Sequence, residues 1–363
     1  MTGRKVLFGR PGAALALMSA LLFGASTPFS KLLLVHGVGP WLLAGLLYLG
    51  SGLGLVAAYL ARGFFGFASS EAPLRRADIP WLLVVVMSGG VAGPLLLMLG
   101  LSQTPASSAA LLLNLEGLAT MVIAWVVFHE NVDRRILTGA TAILAGAVIL
   151  SWSGGPVPIG GGAGLIACAC LAWGIDNNLT RKLSNADPLQ IAATKGVVAG
   201  TTNLILAFAS GAIIPPPPTI AGAALIGFLG YGVSLVLFIL ALRYLGSART
   251  GAYFSTAPFI GAVLAIVMFN ERITIQLVAA AILMGVGLWL HLVERHEHQH
   301  IHDAMEHEHR HTHDEHHQHG HTSDDPAGEP HTHWHKHTPL VHSHPHYPDI
   351  HHRHNHGSVV ESS

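Results

Sequence analysis

The stretch FHENVDRRILTGATAILAGAVILSW, residues 128–152, has a counterpart in FNERITIQLVAAAILMGVGLWLHLV, residues 269–293. Laid side by side without gaps, Phe128-His129-Glu130 stands over Phe269-Asn270-Glu271, and Gly146 stands over Gly287. The register holds upstream: Leu101–Trp152 aligns with Leu242–Val293, and Ala124 falls opposite Ala265. A second pair of segments matches near the start of each half. Leu21-Leu22-Phe23-Gly24 through Ser30-Lys31 parallels Leu171-Ala172-Trp173-Gly174 through Thr180-Arg181. Apolar helices resemble one another by chance, but the aligned Phe-X-Glu and Gly positions favour two copies of one unit.

Composition says what that unit is. Of 363 residues, 51% are hydrophobic and only 11% are Asp, Glu, Lys or Arg, where soluble domains carry about 25% charged residues. A water-soluble core of this length would need far more polar surface to cover it. A helix crossing about 30 Å of hydrocarbon needs about 20 mostly apolar residues. Such segments run over 12–34, 40–61, 79–100, 104–128, 135–153, 163–183, 188–210, 219–242, 249–269 and 273–293. The breaks carry turn chemistry, as in Gly37-Val38-Gly39-Pro40, Ser153-Gly154-Gly155-Pro156 and Pro215 to Pro218, because proline removes an amide donor and stops a helix. Arg4, Lys5 and Arg10 precede the first run as in a secretory signal, but the run from Ala13 to Leu34 is long enough to span. The expected fold is therefore all-α and integral to the lipid bilayer, with about ten transmembrane helices.

Orientation follows from Lys and Arg in short loops. With the N-terminus cytoplasmic, Arg4, Lys5, Arg10, Arg62, Arg75, Arg76, Arg134, Arg135, Arg181, Lys182, Arg243, Arg249 and Arg295 lie inside. The loops 35–39, 101–103, 154–162, 211–218 and 270–272 lie outside and hold only Arg272. Both termini are expected on the cytoplasmic side of a bacterial inner membrane. Five spans per half is an odd number, so the halves sit upside down relative to each other. That is the inverted-repeat plan of secondary transporters, whose substrate site lies near the midplane between repeats.

On the Phe23-Gly24…Lys31 and Trp173-Gly174…Arg181 starts, and the Phe128-His129-Glu130 and Phe269-Asn270-Glu271 ends, the chain resembles the drug/metabolite transporter (DMT) superfamily, in its EamA-type branch of ten helices. The resemblance covers about residues 12–294. It implies a first five-helix repeat 12–153, an outer linker 154–162 and a second repeat 163–294; the loop charges place the N-terminus 1–11 and the His-rich, metal-binding tail 295–363 in the cytoplasm. The resemblance also implies export of small metabolites or drugs, driven by an ion gradient or by exchange. The pattern brings no substrate-site motif with it.

Charges and amides within spans are costly, about 2.5–3.5 kcal/mol each for a charge on insertion scales, so those present are informative. Glu116 is the deepest acid, two residues after Asn114; as a carboxylate it could bind a proton or a cation, or be a structural hydrogen-bonding group. Asp176, Asn177 and Asn178 interrupt the sixth span, and Lys195 lies in the first third of the seventh. An Asp176–Lys195 pair would line a polar cavity between repeats, or form a structural ion pair with Lys195 snorkelling toward the interface. Lys31, near the outer end of the first span, could reach water or line an outer vestibule. Glu130 and Glu271 fix loop geometry at related helix ends. Cys168 and Cys170, at i and i+2, fall on different faces of a helix.

Of 26 histidines, all but His36 and His129 lie from His291 onward. They follow a His-X-His pattern: His296, His298 and His300; His307, His309, His311 and His313; His331, His333, His335 and His337; His342, His344 and His346; His351, His352, His354 and His356. Neutral imidazole suits Zn, Ni, Co and Cu, and binding weakens below about pH 6.5 as imidazole protonates. The tail is expected to bind such metals and, lacking a packed core, to be disordered when empty; a solvated, pH-responsive tail is the competing reading.

The expected function is a secondary transporter of small organic solutes with a metal-binding regulatory tail. The alternatives are a divalent transition-metal exporter, or a membrane-anchored metal store or sensor without transport. The spans hold no histidine pair and no Cys-X-X-Cys, which favours an organic solute or a metal complex over a naked ion needing several ligands. The partners expected are lipid and a small-molecule or metal substrate. A net charge of −1 offers no basic stripe for nucleic acid. No cofactor is expected for transport, and the lack of a Ser/His/Asp arrangement or phosphate loop argues against an enzyme. The oligomeric state, monomer or homodimer, is open.

Overall fold

A computed structural model describes residues 11–64, 74–128, 134–152, 160–180, 187–292, 296–302, 305–311, 331–337 and 340–346. The membrane part is all helix. Helices α1 (Pro11–Val35) and α2 (Pro40–Phe64) are followed by α3 (Ile79–Val85), a π-helical segment (Val86–Ala92) and α4 (Gly93–Gln103). Then come α5 (Ala106–Leu112), α6 (Leu115–Phe128) and α7 (Arg134–Ser151). The second half runs α8 (Gly161–Thr180), α9 (Pro188–Ala209), α10 (Pro217–Gly227), a second π segment (Phe228–Val233), α11 (Ser234–Phe254), α12 (Ala257–Phe269) and α13 (Ile275–Leu292).

Among the described residues, seven helical stretches are long and apolar enough to cross a membrane, and Ala257–Phe269 and Ile275–His291 are shorter apolar helices. Large apolar side chains stand exposed along them, including Ile275 at 90%, Val267 at 75% and Leu60 at 64%. A surface so apolar would aggregate in water and suits contact with lipid. Inside, the core is small and close-packed, built from Leu43, Leu47, Leu97, Met98, Leu101, Ile166 and Met284 with many alanines.

Three features differ from the sequence reading. The Asp176-Asn177-Asn178 run does not interrupt its helix; α8 continues through it to Thr180. Span four is instead broken, at Leu113-Asn114 between α5 and α6. Helical hydrogen bonding in α11 also runs on past residue 242, where a loop is expected. Yet the rings of Phe238 and Phe254 lie 4.9 Å apart, while a straight helix would separate positions 238 and 254 by about 24 Å. The chain therefore doubles back within α11.

The halves are packed alike. The aligned positions Leu101 and Leu242 differ by 141, and shifting the first π segment by that amount gives 227–233, within one residue of the second. The break at Leu113-Asn114 likewise matches the break at Ser255-Thr256 between α11 and α12. Helix α1 packs on α11 and α12, as α8 packs on α4 and α6; α2 crosses α9, and α7 crosses α13. At the last crossing Gly146 lies against Ala280 and Met284, while Gly287 lies against Gly139 and Ile143. Gly24 meets the backbone of Ala257 and Gly261, and Gly174 meets that of Ala119 and Thr120.

The histidine-rich region groups apart from the helices, and its described residues are strands. Strands β1 (His296–His302) and β4 (Leu340–His346) pair antiparallel, as do β2 (Met305–His311) and β3 (His331–His337). The physical reason is periodicity: strict His-X-His alternation has the period of two that a strand requires. His313, His351, His352, His354 and His356 lie outside the described residues, as do Glu130, His129 and Arg181.

Candidate functional site

The site is built around a disturbed backbone. Gly89 and Gly90 lie in the first π segment, where i→i+5 bonding loosens the regular ladder. The Gly89 carbonyl accepts hydrogen bonds from the Tyr48 hydroxyl (2.9 Å) and from Trp173 Nε1 (2.9 Å). The Gly90 carbonyl accepts one from Asn203 Nδ2 at 3.3 Å. Side chains from α2, α8 and α9 thus converge on two adjacent peptide groups. Glycine is required here: a methyl group on Gly89 would run into the Asp176 carboxylate, and one on Gly90 would press on Ala199 at 2.7 Å.

Asp176 is buried, its side chain only 6% exposed. Its Oδ2 accepts a short ion-paired hydrogen bond from Lys195 Nζ, and its Oδ1 accepts one from Thr180 Oγ1 at 3.1 Å. The pair joins α8 to α9 with no net charge, the condition under which buried charge is tolerated. At the next position, Asn177 Nδ2 donates to Glu116 Oε1 at 3.0 Å and contacts Thr120 Oγ1 at 3.2 Å. Asn178 Nδ2 donates to the carbonyls of Thr120 (3.0 Å) and Gly174 (2.8 Å). Glu116 stands in the first turn of α6, just past the break, where the helix dipole favours an acid. It is half-buried, and Asn177 is exposed.

Consecutive positions of α8 thus hold two hydrogen-bonded sets side by side: Asp176 with Lys195 toward α9, and Asn177 and Asn178 with Glu116 and Thr120 toward α6. Among the described residues, the buried atoms Asn178 Oδ1 and Asn203 Oδ1 have no hydrogen-bond partner. Beside the cluster, aromatic rings from the two halves stack in a row. Tyr48 packs on Tyr231 (centroids 5.5 Å), Tyr231 on Phe23 (5.9 Å) and Phe23 on Phe254 (5.4 Å). Tyr231 belongs to the second π segment.

Two expected pathway residues sit elsewhere. Asn114 lies in the α5–α6 break, where its Nδ2 donates to Leu111 O at 2.8 Å and faces Met284 Sδ at 3.9 Å. Lys31 Nζ donates to the carbonyls of Leu101 (2.6 Å) and Thr104 (3.0 Å), satisfying the last turn of α4. Glu271 completes that joint from the second half. Its carboxylate accepts the amides of Ala106 (2.7 Å) and Ser107 (3.1 Å), and the Ser107 hydroxyl, at the start of α5. Glu271 therefore does fix loop geometry.

Sequence reasoning missed Tyr48, Asn203, Thr120 and Tyr231, and used Trp173 only as a repeat marker. One signal was available: Gly89-Gly90 in mid-span, a pair that disfavours a regular helix. Among the described residues of the helices, no three or more His, Cys, Asp or Glu are placed to hold a metal ion.

The description of the EamA-like transporter family matches this chain twice, over residues 10–152 and 160–293. A protein named an uncharacterized transporter from Methanothermobacter thermautotrophicus is 29% identical over 229 residues, 61% of this chain and 66% of that protein, just under two thirds of its length. A probable terminal-alkyne amino-acid exporter from Streptantibioticus cattleyicolor is 24% identical over 61% of this chain and 76% of its own length. A probable 4-amino-4-deoxy-L-arabinose-phosphoundecaprenol flippase subunit from Pseudomonas paraeruginosa is 36% identical over 102 residues, 28% of this chain and 86% of that subunit. One solved crystal structure superposes with a TM-score of 0.57 at 20% identity, covering 78% of this chain and 97% of its own; that likeness concerns the fold.

Proposed function

The chain belongs to the EamA-like transporter family, and from that premise we propose that it is a secondary exporter of small organic solutes. Ten membrane spans form two inverted five-helix repeats, with both termini in the cytoplasm of a bacterial cell. Support comes from the duplicated family match, the π segments and helix breaks at equivalent positions, and the paired crossings of α1 with α12 and α8 with α6. The positive-inside loops give the orientation.

The observation that carries the proposal is the cluster of Glu116, Asn177, Asp176 and Lys195 beside a glycine-opened π segment. Buried ionisable groups inside a membrane are costly and mark solute or proton pathways. Broken helices at matching places in the two halves point to the same region. Glu116 serves as the exchangeable acid, taking a proton or a cationic group of the solute. The Asp176–Lys195 pair holds α8, α9 and the π segment in register. The acceptor-rich lining, with Asn178 Oδ1 and Asn203 Oδ1 unpaired among the described residues, suits a solute carrying N–H donors. Two relatives are named for amino-bearing compounds.

The histidine-rich region binds borderline divalent metals at the cytoplasmic face and regulates this transport. The test is flux in inside-out vesicles from cells expressing the protein, using a panel of labelled amino acids and amino sugars alongside radioactive nickel, cobalt and zinc. Uptake of an organic solute that survives deletion of residues 295–363 and is abolished by Glu116→Gln supports the proposal. Metal flux abolished by Glu116→Gln would instead make the chain a metal exporter. Metal binding with no flux of anything would make it a store or sensor.

A further inference from the structure

The two strand pairs of the histidine-rich unit share one register. His296 lies opposite His346, His298 opposite His344 and His300 opposite His342. His307 lies opposite His335, His309 opposite His333 and His311 opposite His331. In each partnership the two position numbers have the same total. Strands β1 and β2 therefore form one arm, and β3 and β4 the other, of a single hairpin-like register. A shift of a single residue would place every histidine opposite a non-histidine. His302 and His337 fall opposite Leu340 and Met305, so each row of paired histidines ends in an apolar position toward the middle of the hairpin.

We propose that these rows are two metal-binding ladders, in which borderline divalent ions such as Zn, Ni or Cu bridge the arms and zip the hairpin shut. Positions i and i+2 of a strand share a face, and directly opposed positions in an antiparallel pair have Cβ atoms about 4.5–5.5 Å apart. Two successive opposed pairs thus put four histidine positions on adjacent rungs of one face, the ligand number a tetrahedral Zn site needs. The arms meet only through this register, so both must contribute to each site. A string of independent His-X-His motifs would bind with no such requirement. The proposal deepens the reading of the tail as metal-binding and rests on it. It adds the geometry: about one tightly held ion per ladder when four imidazoles serve each ion, and a conformational change on loading that a regulatory segment can report.

The test uses the full chain in detergent micelles, with Zn alone as probe, measured by equilibrium dialysis near pH 7.5. Two triple variants remove one arm of the first ladder each: H296Q/H298Q/H300Q and H342Q/H344Q/H346Q. The ladder requires that each triple variant lose the same tightly bound Zn, and that combining all six lose no more. Additive losses overturn the ladder and leave a metal-binding tail standing; no Zn binding by the unaltered protein overturns both. A second measurement reads the register directly, with nitroxide labels in a Cys168→Ala/Cys170→Ala background. Labels at Gln299 and Ser343, which oppose each other, should draw together on adding Zn and separate with a chelator. Labels at Glu297 and Val341 should stay further apart, by about 13 Å of strand rise. Equal distances for the two label pairs in Zn would overturn the shared register.

Discussion

The rings of Tyr48 and Tyr231 lie 5.5 Å apart, one from each half of the chain. The Tyr48 hydroxyl meanwhile donates to Gly89 O in the first π segment, and Tyr231 is part of the second. Tyr48 thus ties both irregular segments to one point beside the polar cluster. Its two roles can be separated. Tyr48→Phe should keep the ring contact and lose one hydrogen bond, costing about 1 kcal/mol, because Trp173 still satisfies Gly89 O. Tyr48→Ala should lose both and reduce transport far more. Thermal unfolding in detergent, compared with flux, checks the split; equal effects of the two substitutions would refute it.

The Asp176–Lys195 pair should behave as a unit. Asp176→Asn or Lys195→Met alone leaves one charge buried and unpaired, a loss of about 3–5 kcal/mol. The double variant should recover much of that stability while still lacking transport. A double-mutant cycle on unfolding in detergent reads the coupling, and purely additive losses would show that the two groups act independently.

Gly89→Ala and Gly117→Ala make a matched comparison. The first places a methyl group against the Asp176 carboxylate, and the second places it in open space. Gly89→Ala should displace the ion pair and abolish flux. Gly117→Ala, in α6, should be neutral or gain up to about 1 kcal/mol of helix stability. Expression yield, melting temperature and flux of the two variants decide the matter.

Glu271→Ala should destabilise the α4–α5 joint. It removes the acceptor for two amides and a hydroxyl at the start of α5, and capping groups contribute about 0.5–2 kcal/mol. Glu271→Asp should recover part of the loss. The measurement is thermal unfolding of each variant against the unaltered chain.

Metal binding by the histidine-rich region should fall with acidity. Imidazole binds metal only when neutral and protonates near pH 6.5, so affinity is full at pH 8 and drops progressively through pH 6 and below. Zn dialysis across that range, with residues 295–363 deleted as control, checks the sign. Retention of the tail's Zn at pH 5 would point to carboxylate ligands instead.

The expectation of a repeat came from a periodic trace in the chain: Phe-X-Glu, and glycine at Gly146 and Gly287, recur at a fixed interval. The charged cluster was legible in part because Glu116, Asp176 and Lys195 are rare residue types in apolar surroundings. Tyr48 and Trp173 carried no such signal, since an aromatic residue in a membrane span has an ordinary composition. The roles of Lys31 and Asn114 were equally hidden. Lys31 reads as a charge that reaches water or lines an outer vestibule until its partners are known to be the last carbonyls of α4.

The amino-acid sequence by itself determined that this chain is apolar enough to dissolve in lipid and turns repeatedly, because hydropathy and turn-forming residues are properties of residues in order. Only the tertiary structure decided that Gly89 lies under Asp176, that Asn177 reaches Glu116 and that Glu271 closes a joint more than 160 positions away. Those contacts depend on how helices cross. Helix crossing in lipid is set by close packing of small residues and by interhelical hydrogen bonds, and neither shows in the spacing of residues along one helix.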